Sequence, residues 1–548
     1  MSFKKNDLIF LPLGGVGEIG MNCYLYHYND SWIMIDLGVM FNDNQNLGYD
    51  IIMPDLRYII ERKKKLSGII ITHAHEDHIG ALPYMYPEIG KVPIYTTPFT
   101  ASVIKRKFQS NNNVSHKINL LDYNKNTIIG NFEVQVLSLT HSIPEPNGVI
   151  IKTKKGNIFH TGDWKIDPNP MVGEPINENA LSNVKKDGID VMVCDSTNVF
   201  NENPSGSEKE VREKFINIFE NSKGGKIIVT CFASNIARLE TVLKVSKEFQ
   251  RSCVLLGRSL IRIHESAIEN NLLVNETNIV SEKDAKFFPD ENLVLICTGS
   301  QGESRASLSR LINGKNKFFR ISVEDLVIFS SREIPGNEKP INELKAQLSK
   351  IGCKILDHTT KNVHVSGHPS KKELKKMYNW IGAKTIIPIH GEYRHLQEHQ
   401  RYINECKISK PLLVENGNIV NLGCSEPKII DKTDLNKNVL RGSKVMSIDS
   451  NLFAKISNVG NNGDLCIVIV INKNNEICNK PIIFCHTITN DQGIKDLLKE
   501  TIQNEFPILF KKSNDEQTLI TNLKITARSF LKDKFGLKPL TNIEIVRI

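Results

Sequence analysis

The sequence predicts a multidomain protein of mixed α/β and α+β class. It combines a sandwich of mixed sheets with helices on its outer faces, an α/β unit inserted into that sandwich, and a small α+β module at the end. Three observations carry this. The 548 residues exceed what one hydrophobic core accommodates. Short β segments separated by turns fill the chain as far as Ser205, whereas from Gly206 strands and helices alternate in the pattern of a parallel sheet. Strands of the first kind then resume near Lys354 and Thr385, so the alternating stretch interrupts the first domain.

In order, the first part (residues 1–205) offers strands at Leu8–Leu13, Cys23–Tyr28, Trp32–Ile35, Gly68–Ile71 and Ile94–Thr96. Further strands follow at Phe132–Leu137, Val149–Thr153, Asn157–His160 and Val191–Cys194, with turns at Asn29-Asp30 and Lys155-Gly156-Asn157. The insertion (206–356) opens with a helix over Glu208–Ser222. It continues with a strand at Lys226–Thr230, a helix over Asn235–Phe249, and strands at Val254–Gly257, Leu293–Cys297 and Leu326–Ser330. The first domain returns over 357–445, with a strand at Thr385–His390 and an Asn-, Lys- and Asp-rich linker over Asp431–Asn438. The final module (446–548) has strands at Leu465–Ile471 and Pro481–Cys485 and helices over Asp491–Glu505 and Asp515–Lys534. It carries no chemical motif, and self-association is its expected role.

The net charge of +9 is modest at this length; it permits a polyanionic substrate without requiring one. Basic runs such as Arg62-Lys63-Lys64-Lys65 read as solvated faces. Eleven cysteines without a C-x-x-C pair exclude a thiolate zinc site and a disulfide framework, and point to a reducing compartment. No apolar stretch reaches the ~18 residues a membrane span needs. The segment from Met1 and Ser2 onward has no signal-peptide pattern, so a cytoplasmic address is expected.

The chemistry sits in Thr72-His73-Ala74-His75-Glu76-Asp77-His78, directly after the apolar run Leu66–Ile71. Alternate residues of extended chain face one way, so His73 and His75 can converge on one metal. Asp77 and His78, just past the strand, can turn toward a second. Imidazole and carboxylate together suit zinc, and a site with an open coordination position is catalytic. His141, Asp163, His390 and Asp36 each follow a predicted strand; their recurrence at strand ends completes the set. Gly15-Val16-Gly17-Glu18-Ile19-Gly20 matches a dinucleotide fingerprint, but the following residues read as two strands and no helix supplies a pyrophosphate site. These glycines are expected to let the backbone pass close to the metal site.

These motifs resemble the metallo-β-lactamase superfamily. Val193-Cys194-Asp195-Ser196-Thr197-Asn198, His364-Val365-Ser366-Gly367-His368 and Ile389-His390-Gly391-Glu392 are similar to the three extra motifs of its β-CASP nuclease branch. Within that branch the chain resembles the ribonuclease J family. The supporting segments are Leu11 to Gly20, Phe232-Ala233-Ser234-Asn235, Thr298 to Glu303 and Ser331-Arg332-Glu333-Ile334-Pro335-Gly336-Asn337-Glu338.

The resemblance implies a metallo-β-lactamase αββα sandwich with an inserted β-CASP domain. It implies two Zn²⁺ ions, replaceable by Mn²⁺ or Mg²⁺ in vitro. One would be held by His73, His75 and His141, the other by Asp77, His78 and His390, with Asp163 bridging and Asp36 orienting a ligand imidazole. It further implies hydroxide attack on RNA phosphodiesters, with Asp77, Asp195 and His368 catalytic. A pocket for the 5′ monophosphate of single-stranded RNA would draw on Ser234, Asn235, Ser331, Arg332, His364 and Ser366. The expected activity is 5′-to-3′ exonucleolytic with an endonucleolytic component, in a homodimer or homotetramer. Three other readings share parts of this pattern: a hydrolase of small thioesters or lactones, a non-catalytic RNA-binding subunit, and an endonuclease for transfer RNA 3′ ends.

Overall fold

The computed structural model describes residues 3–41, 48–111, 116–222, 224–274, 278–334 and 336–548; Met1, Ser2 and Pro335, quoted above, lie outside them. The chain divides into two compact units, one over 1–43 and 51–438, the other over 44–50 and 439–548.

In the first unit the chain begins with β1 (Ile9–Gly14), β2 (Cys23–Tyr28), β3 (Ser31–Ile35), β4 (Leu66–Ile70), β5 (Ile94–Thr96) and β6 (Ile118–Leu120), with the short helix α1 (Glu76–Ile79) after β4 and α2 (Pro98–Ser110) after β5. A second sheet takes β7 (Thr127–Ile129), β8 (Phe132–Ser138), β9 (Asn147–Thr153), β10 (Gly156–His160) and, beyond helix α3 (Glu178–Asp187), β11 (Val191–Asp195).

The chain then leaves this sheet for helix α4 (Glu208–Glu220), β12 (Ile227–Thr230), α5 (Ile236–Glu248), β13 (Ser252–Leu256), α6 (Arg258–Glu269), β14 (Leu293–Cys297), α7 (Ser307–Ile312), β15 (Leu326–Phe329) and β16 (Lys354–Leu356). These five strands form their own parallel sheet in the order β13-β14-β12-β15-β16, so the strand at Lys354, expected to belong to the returning first domain, is instead the insertion's edge strand, parallel to β15. After helix α8 (Lys371–Ile381), β17 (Thr385–Ile389) lies parallel beside β11, residue for residue from Val191 with Thr385 to Asp195 with Ile389. Helix α9 (Tyr393–Cys406) and β18 (Lys410–Pro411) follow, and β19 (Asn418–Asn421) and β20 (Lys428–Lys432) join the first sheet.

The first sheet runs β20-β19-β1-β2-β3-β4-β5-β6 and the second β7-β8-β9-β10-β11-β17-β18. One apolar layer joins residues of both: Phe10, Tyr26 and Ile33 meet Val134, Val149, Val191 and Ile387. On the other face of the second sheet, Ile150, Phe159, Met192 and Ile386 pack with Leu181 of α3, Leu374 and Tyr378 of α8 and Ile403 of α9. The two sheets stack because their strands are apolar on both faces; β11 is buried along its whole length, as parallel strands covered on both sides are. The parallel insertion has a separate core, including Ile228, Leu295, Val327 and Leu344.

The second unit holds a three-stranded sheet, β21 (Asp464–Ile471), β22 (Ile482–Phe484) and β23 (Leu540–Arg547), in the order β22-β21-β23, with helices α10 (Gln492–Lys512) and α11 (Glu516–Phe535). Two features of it depart from the sequence reading. The helix expected to stop at Glu505 runs through Pro507 to Lys512. Proline removes a backbone donor inside a helix, but Leu498, Ile502 and Phe506 are buried at helical spacing and their packing keeps the turn. The strand β23 was not anticipated; it pairs in parallel with all eight residues of β21. Its signal was an alternation in which Thr541 and Ile543 are buried and Asn542 and Glu544 exposed.

Candidate metal centre

The ends of five strands meet at one place. Beyond β4 the chain stays extended through His73 and His75, and His75 precedes the turn α1, which carries Asp77 and His78. The segment after β3 holds that turn in place through backbone bonds: Leu37 N–H to the His78 carbonyl (2.8 Å) and Val39 N–H to the Glu76 carbonyl (3.1 Å), while Asn22 N–H reaches the Asp77 carbonyl (2.9 Å). Such lacing needs a glycine. A methyl group on Gly38 would lie 1.6 Å from the Asp77 carbonyl oxygen. Asp36 and His390 both have left-handed backbone, at φ 60° and 52°. Non-glycine residues adopt that conformation at a cost and are concentrated at functional sites. His390 is fixed there by its N–H, which donates to the Gly15 carbonyl at 2.6 Å. The glycine run after β1 therefore supports a metal-site residue, and no helix follows it.

Two sets of ligand atoms result, His73, His75, His141 and Asp163 in one and Asp77, His78, Asp163 and His390 in the other; within each, all atoms lie within 4.8 Å of one another. His75 Nδ1 is 3.0 Å from His73 Nε2 and 3.1 Å from His141 Nε2. Asp163 Oδ2 lies 3.9 and 3.8 Å from the same two Nε2 atoms, and 3.2 and 3.3 Å from Nε2 of His78 and His390. Asp77 Oδ2 is 3.5 Å from each of the latter two. Ligands about 2.1 Å from a tetrahedral ion are ~3.4 Å apart, so both sets have the spacing of a first coordination sphere.

The hydrogen-bond partners of the imidazole rings support the same conclusion. His78 donates Nδ1–H to Asp36 (2.7 Å), His73 donates Nδ1–H to the Thr72 hydroxyl (3.0 Å), and His141 donates Nδ1–H to the Gly367 carbonyl (2.5 Å). Thr72 in turn donates its hydroxyl (2.9 Å) and its N–H (2.8 Å) to Asp36. The Nε2 atoms of His73 and His141 are left with lone pairs facing the other ligands, a repulsive arrangement without a cation between them, whereas the carboxylates of Asp163, Asp77 and Asp36 outweigh burial and hold the His78 pKa well above the usual imidazole range. Burial holds His73 and His141 well below the usual imidazole range and lowers His75 to about 4, so these three are neutral ligands. Asp36, Asp163 and Asp195 are also buried, and buried carboxylates need a compensating cation. The donor set fits a divalent metal ion.

Beside it stands a third group, Asp163, Asp195 and His368. His368 donates Nδ1–H to Asp195 Oδ2 at 2.8 Å, and Asp195 Oδ1 accepts the N–H of Thr197 at 2.8 Å. Burial works against a charge on His368, but Asp195, Asp163 and Asp77 outweigh it and raise its pKa to about 9.

The remaining residues expected around the substrate follow the strands of the insertion. Arg332, just beyond β15, donates to Asn198 Oδ1 (3.3 Å), and Asn198 donates to the His368 carbonyl (3.2 Å). The Ser366 hydroxyl accepts the His368 N–H at 3.1 Å. His364 Nδ1 is buried with no hydrogen-bond partner among the described residues. Burial, with the positive charges of Arg238, Lys165, His358 and Arg332, holds its pKa well below the usual range. The Ser331 hydroxyl accepts from Gln301 (3.4 Å), and Asn235 caps α5 by accepting the Arg238 N–H (2.9 Å). Ser234, next to that cap, is half-buried. Sequence reasoning did not single out Thr72, Asn22 or Asn198 as site residues. Asn22 donates to Asp77 (3.3 Å) and is itself held by the Tyr24 hydroxyl (2.7 Å).

Models of known families match three successive stretches: a "beta-lactamase superfamily domain" over 39–205, a "ribonuclease J, beta-CASP domain" over 224–348, and a "Zn-dependent metallo-hydrolase RNA specificity domain" over 356–411. The curated ribonuclease J of Sinorhizobium meliloti is 32% identical over 556 residues, spanning 100% of this chain and 98% of its own. The chain belongs to the ribonuclease J family. Ribonuclease J 1 of Streptococcus pyogenes is 30% identical, covering 98% of each chain. That of Mycoplasma pneumoniae is 30% identical over 95% of this chain and 93% of its own. A crystal structure of a protein of unknown function from Enterococcus faecalis V583 shares the fold, at a TM-score of 0.56 and 16% identity, covering 75% of this chain and 99% of that one. The ribonuclease J match spans both the lactamase-like domain, with its sandwich of two sheets, and the parallel insertion.

Proposed function

We propose that this protein is a zinc-dependent ribonuclease that hydrolyses single-stranded RNA, trimming it 5′ to 3′ from a monophosphorylated end and also cutting internally. The observation that carries the reading is the pair of four-ligand sets sharing Asp163. Two divalent ions held there would lower the pKa of a bound water and neutralise charge on the phosphoryl oxygens. His73, His75 and His141 would hold one ion; Asp77, His78 and His390 the other. Asp36 fixes the His78 ring, and Asn22 fixes the Asp77 carboxylate. His368, with Nδ1 bonded to Asp195, keeps Nε2 for the leaving 3′ oxygen and supplies its proton.

The 5′ end would be read by Arg332, His364 and Ser366, with Ser234, Asn235 and Ser331 at the adjoining strand ends. The unpartnered His364 nitrogen among cationic neighbours supports an anion there. Single strands are preferred because a duplex end must unpair to reach buried ligands. We assign the protein to the cytoplasm: none of its eleven cysteines is paired, and no helix among the described residues is long and apolar enough to cross a membrane. We assign it a homodimeric or homotetrameric state, with the second unit as the contact.

The test uses one single-stranded RNA bearing a 5′ monophosphate or a 5′ hydroxyl, labelled at either end, with zinc or manganese. Mononucleotides released faster from the monophosphate, and absent with Asp77→Ala/His78→Ala, are expected. Internal fragments alone would remove the exonuclease assignment. Equal rates on both 5′ ends would remove the phosphate pocket.

A further inference from the structure

An open cleft of about 750 Å³ lies in the inserted domain, away from the metal ligands. Its floor is made where β13 and β14 end: Leu256 closes one strand and Gly257 follows it, and Thr298 follows the other. Open parallel sheets place ligands outside the carboxyl ends of their strands. The cleft is lined by five cationic side chains, Arg258, Arg262, Arg305, Arg310 and Lys317, beside the half-buried ring of Phe318. The two carboxylates on its wall are turned to protein groups: Glu303 accepts the Gln301 N–H (3.1 Å) and Glu282 accepts from Asn316 (3.4 Å). Among the described residues, Arg258, Arg310 and Lys317 have no ion pair, and all three are exposed. Ser259, Thr298 and Ser307 add hydroxyls. Gly257, at φ 121°, brings its backbone close to two of them; a methyl there would lie 2.9 Å from Ser307 Oγ and 3.3 Å from Thr298 Oγ1. Helix α6 starts at this point without a capping side chain, so its first N–H groups are also available to an anion.

We propose that this cleft is a second phosphate-binding site, whose ligand is the backbone of single-stranded RNA lying 5′ of an internal cut, beyond the groups that hold a free 5′ end. The proposal rests on the ribonuclease reading for the source of the phosphates. The register of the sheet supports that source. Ser234 and Arg332 follow β12 and β15, and β14 is the neighbour of β12. Adjacent strands are ~4.8 Å apart, so one carboxyl edge carries both groups and an extended strand of RNA can follow it. Unpaired cations in such a groove track the backbone. A free nucleotide presents the same phosphate chemistry and is the other source to separate.

The test is equilibrium binding by fluorescence anisotropy, using the full-length protein. One arm uses a labelled single-stranded RNA of ~30 nucleotides and the other labelled adenosine 5′-monophosphate. Wild type, Arg258→Ala/Arg310→Ala and Arg258→Lys/Arg310→Lys are compared across salt concentrations. Each phosphate contact on a single strand contributes about 0.7 to the slope of log affinity against log salt. Loss of two contacts therefore predicts a slope smaller by about 1.4 and roughly 25-fold weaker RNA binding at about 0.1 M salt. The lysine variant should restore both. Loss confined to the nucleotide arm would overturn the RNA assignment in favour of a free-nucleotide site. Unchanged binding in both arms overturns the proposal. Cleavage by wild type is scored separately. If wild type cleaves and the alanine variant binds normally, the cleft falls while the ribonuclease reading stands. If wild type does not cleave but binds through these arginines, that reading falls and the cleft stands.

Discussion

The imidazole of His78 donates its Nδ1–H to the buried carboxylate of Asp36 at 2.7 Å, and the Thr72 hydroxyl meets the same oxygen at 2.9 Å. Asp36 thus orients His78 directly and His73 through Thr72. Partners of this kind raise metal affinity about 10–100-fold. Asp36→Asn should bind zinc weaker by that factor with its circular dichroism unchanged, as read by competition with a chromogenic chelator.

Removal of a ligand should act more steeply. His390→Ala is expected to retain about one zinc equivalent instead of two, measured by elemental analysis after dialysis. Its RNA cleavage should fall below about one thousandth of wild type. Full cleavage with one metal lost would exclude a two-ion mechanism.

The assignment of His368 as proton donor has its own signature. His368→Ala should lose about 10²–10⁴ in kcat on RNA. It should lose little on a nucleotide p-nitrophenyl ester, whose leaving group needs no proton. An equal loss on both would make His368 a positioning residue only.

His399 gives a stability prediction that does not depend on metal. It is fully buried between the Ser196 hydroxyl (2.8 Å) and the Tyr378 hydroxyl (2.6 Å), and burial lowers its pKa from 6.5 to about 4. The folded state therefore disfavours the proton that the unfolded chain accepts. This stability is complete above pH 6.5 and is lost as pH falls toward 4, by about 3 kcal/mol in all. Urea midpoints of wild type should drop across that window more than those of His399→Gln.

Gly38 is predicted to be irreplaceable. Gly38→Ala drives a methyl into the Asp77 carbonyl, and relief requires moving the turn that carries Asp77 and His78. We expect a loss of about 1–3 kcal/mol together with reduced metal content; normal zinc binding would show that the turn can shift.

Residues that act through their own side chains were the legible part. The cluster from His73 to His78 announced itself because several strong ligands follow one apolar strand, and strand ends gave His141, Asp163 and His390. The insertion was legible because its strands alternate with helices. What the sequence did not reveal acts through contacts that only folding creates. Thr72 and Asn22 are ordinary polar residues until Asp36 and Asp77 arrive beside them. Asn235 and Ser331 read from the residues alone more readily as caps and turn formers than as phosphate ligands, and Asn235 is in use as a cap. The cleft at Arg258 and Arg310 was invisible because its cations come from separated segments. The passage of α10 through Pro507 is the reverse case, with tertiary packing overriding a strong local stop signal.

The order in which the ligands occur has a consequence for biosynthesis. His73, His75, His141 and Asp163 are all translated before the insertion begins, whereas His390 follows it and reaches the site only when β17 docks on β11. Domains fold as they emerge, amino-terminal parts first. A nascent chain can thus assemble one ion-binding set early but not the pair. On the ribosome, amid the RNA it would otherwise attack, it lacks His390, the last ligand of its second set, until most of the polypeptide has been made.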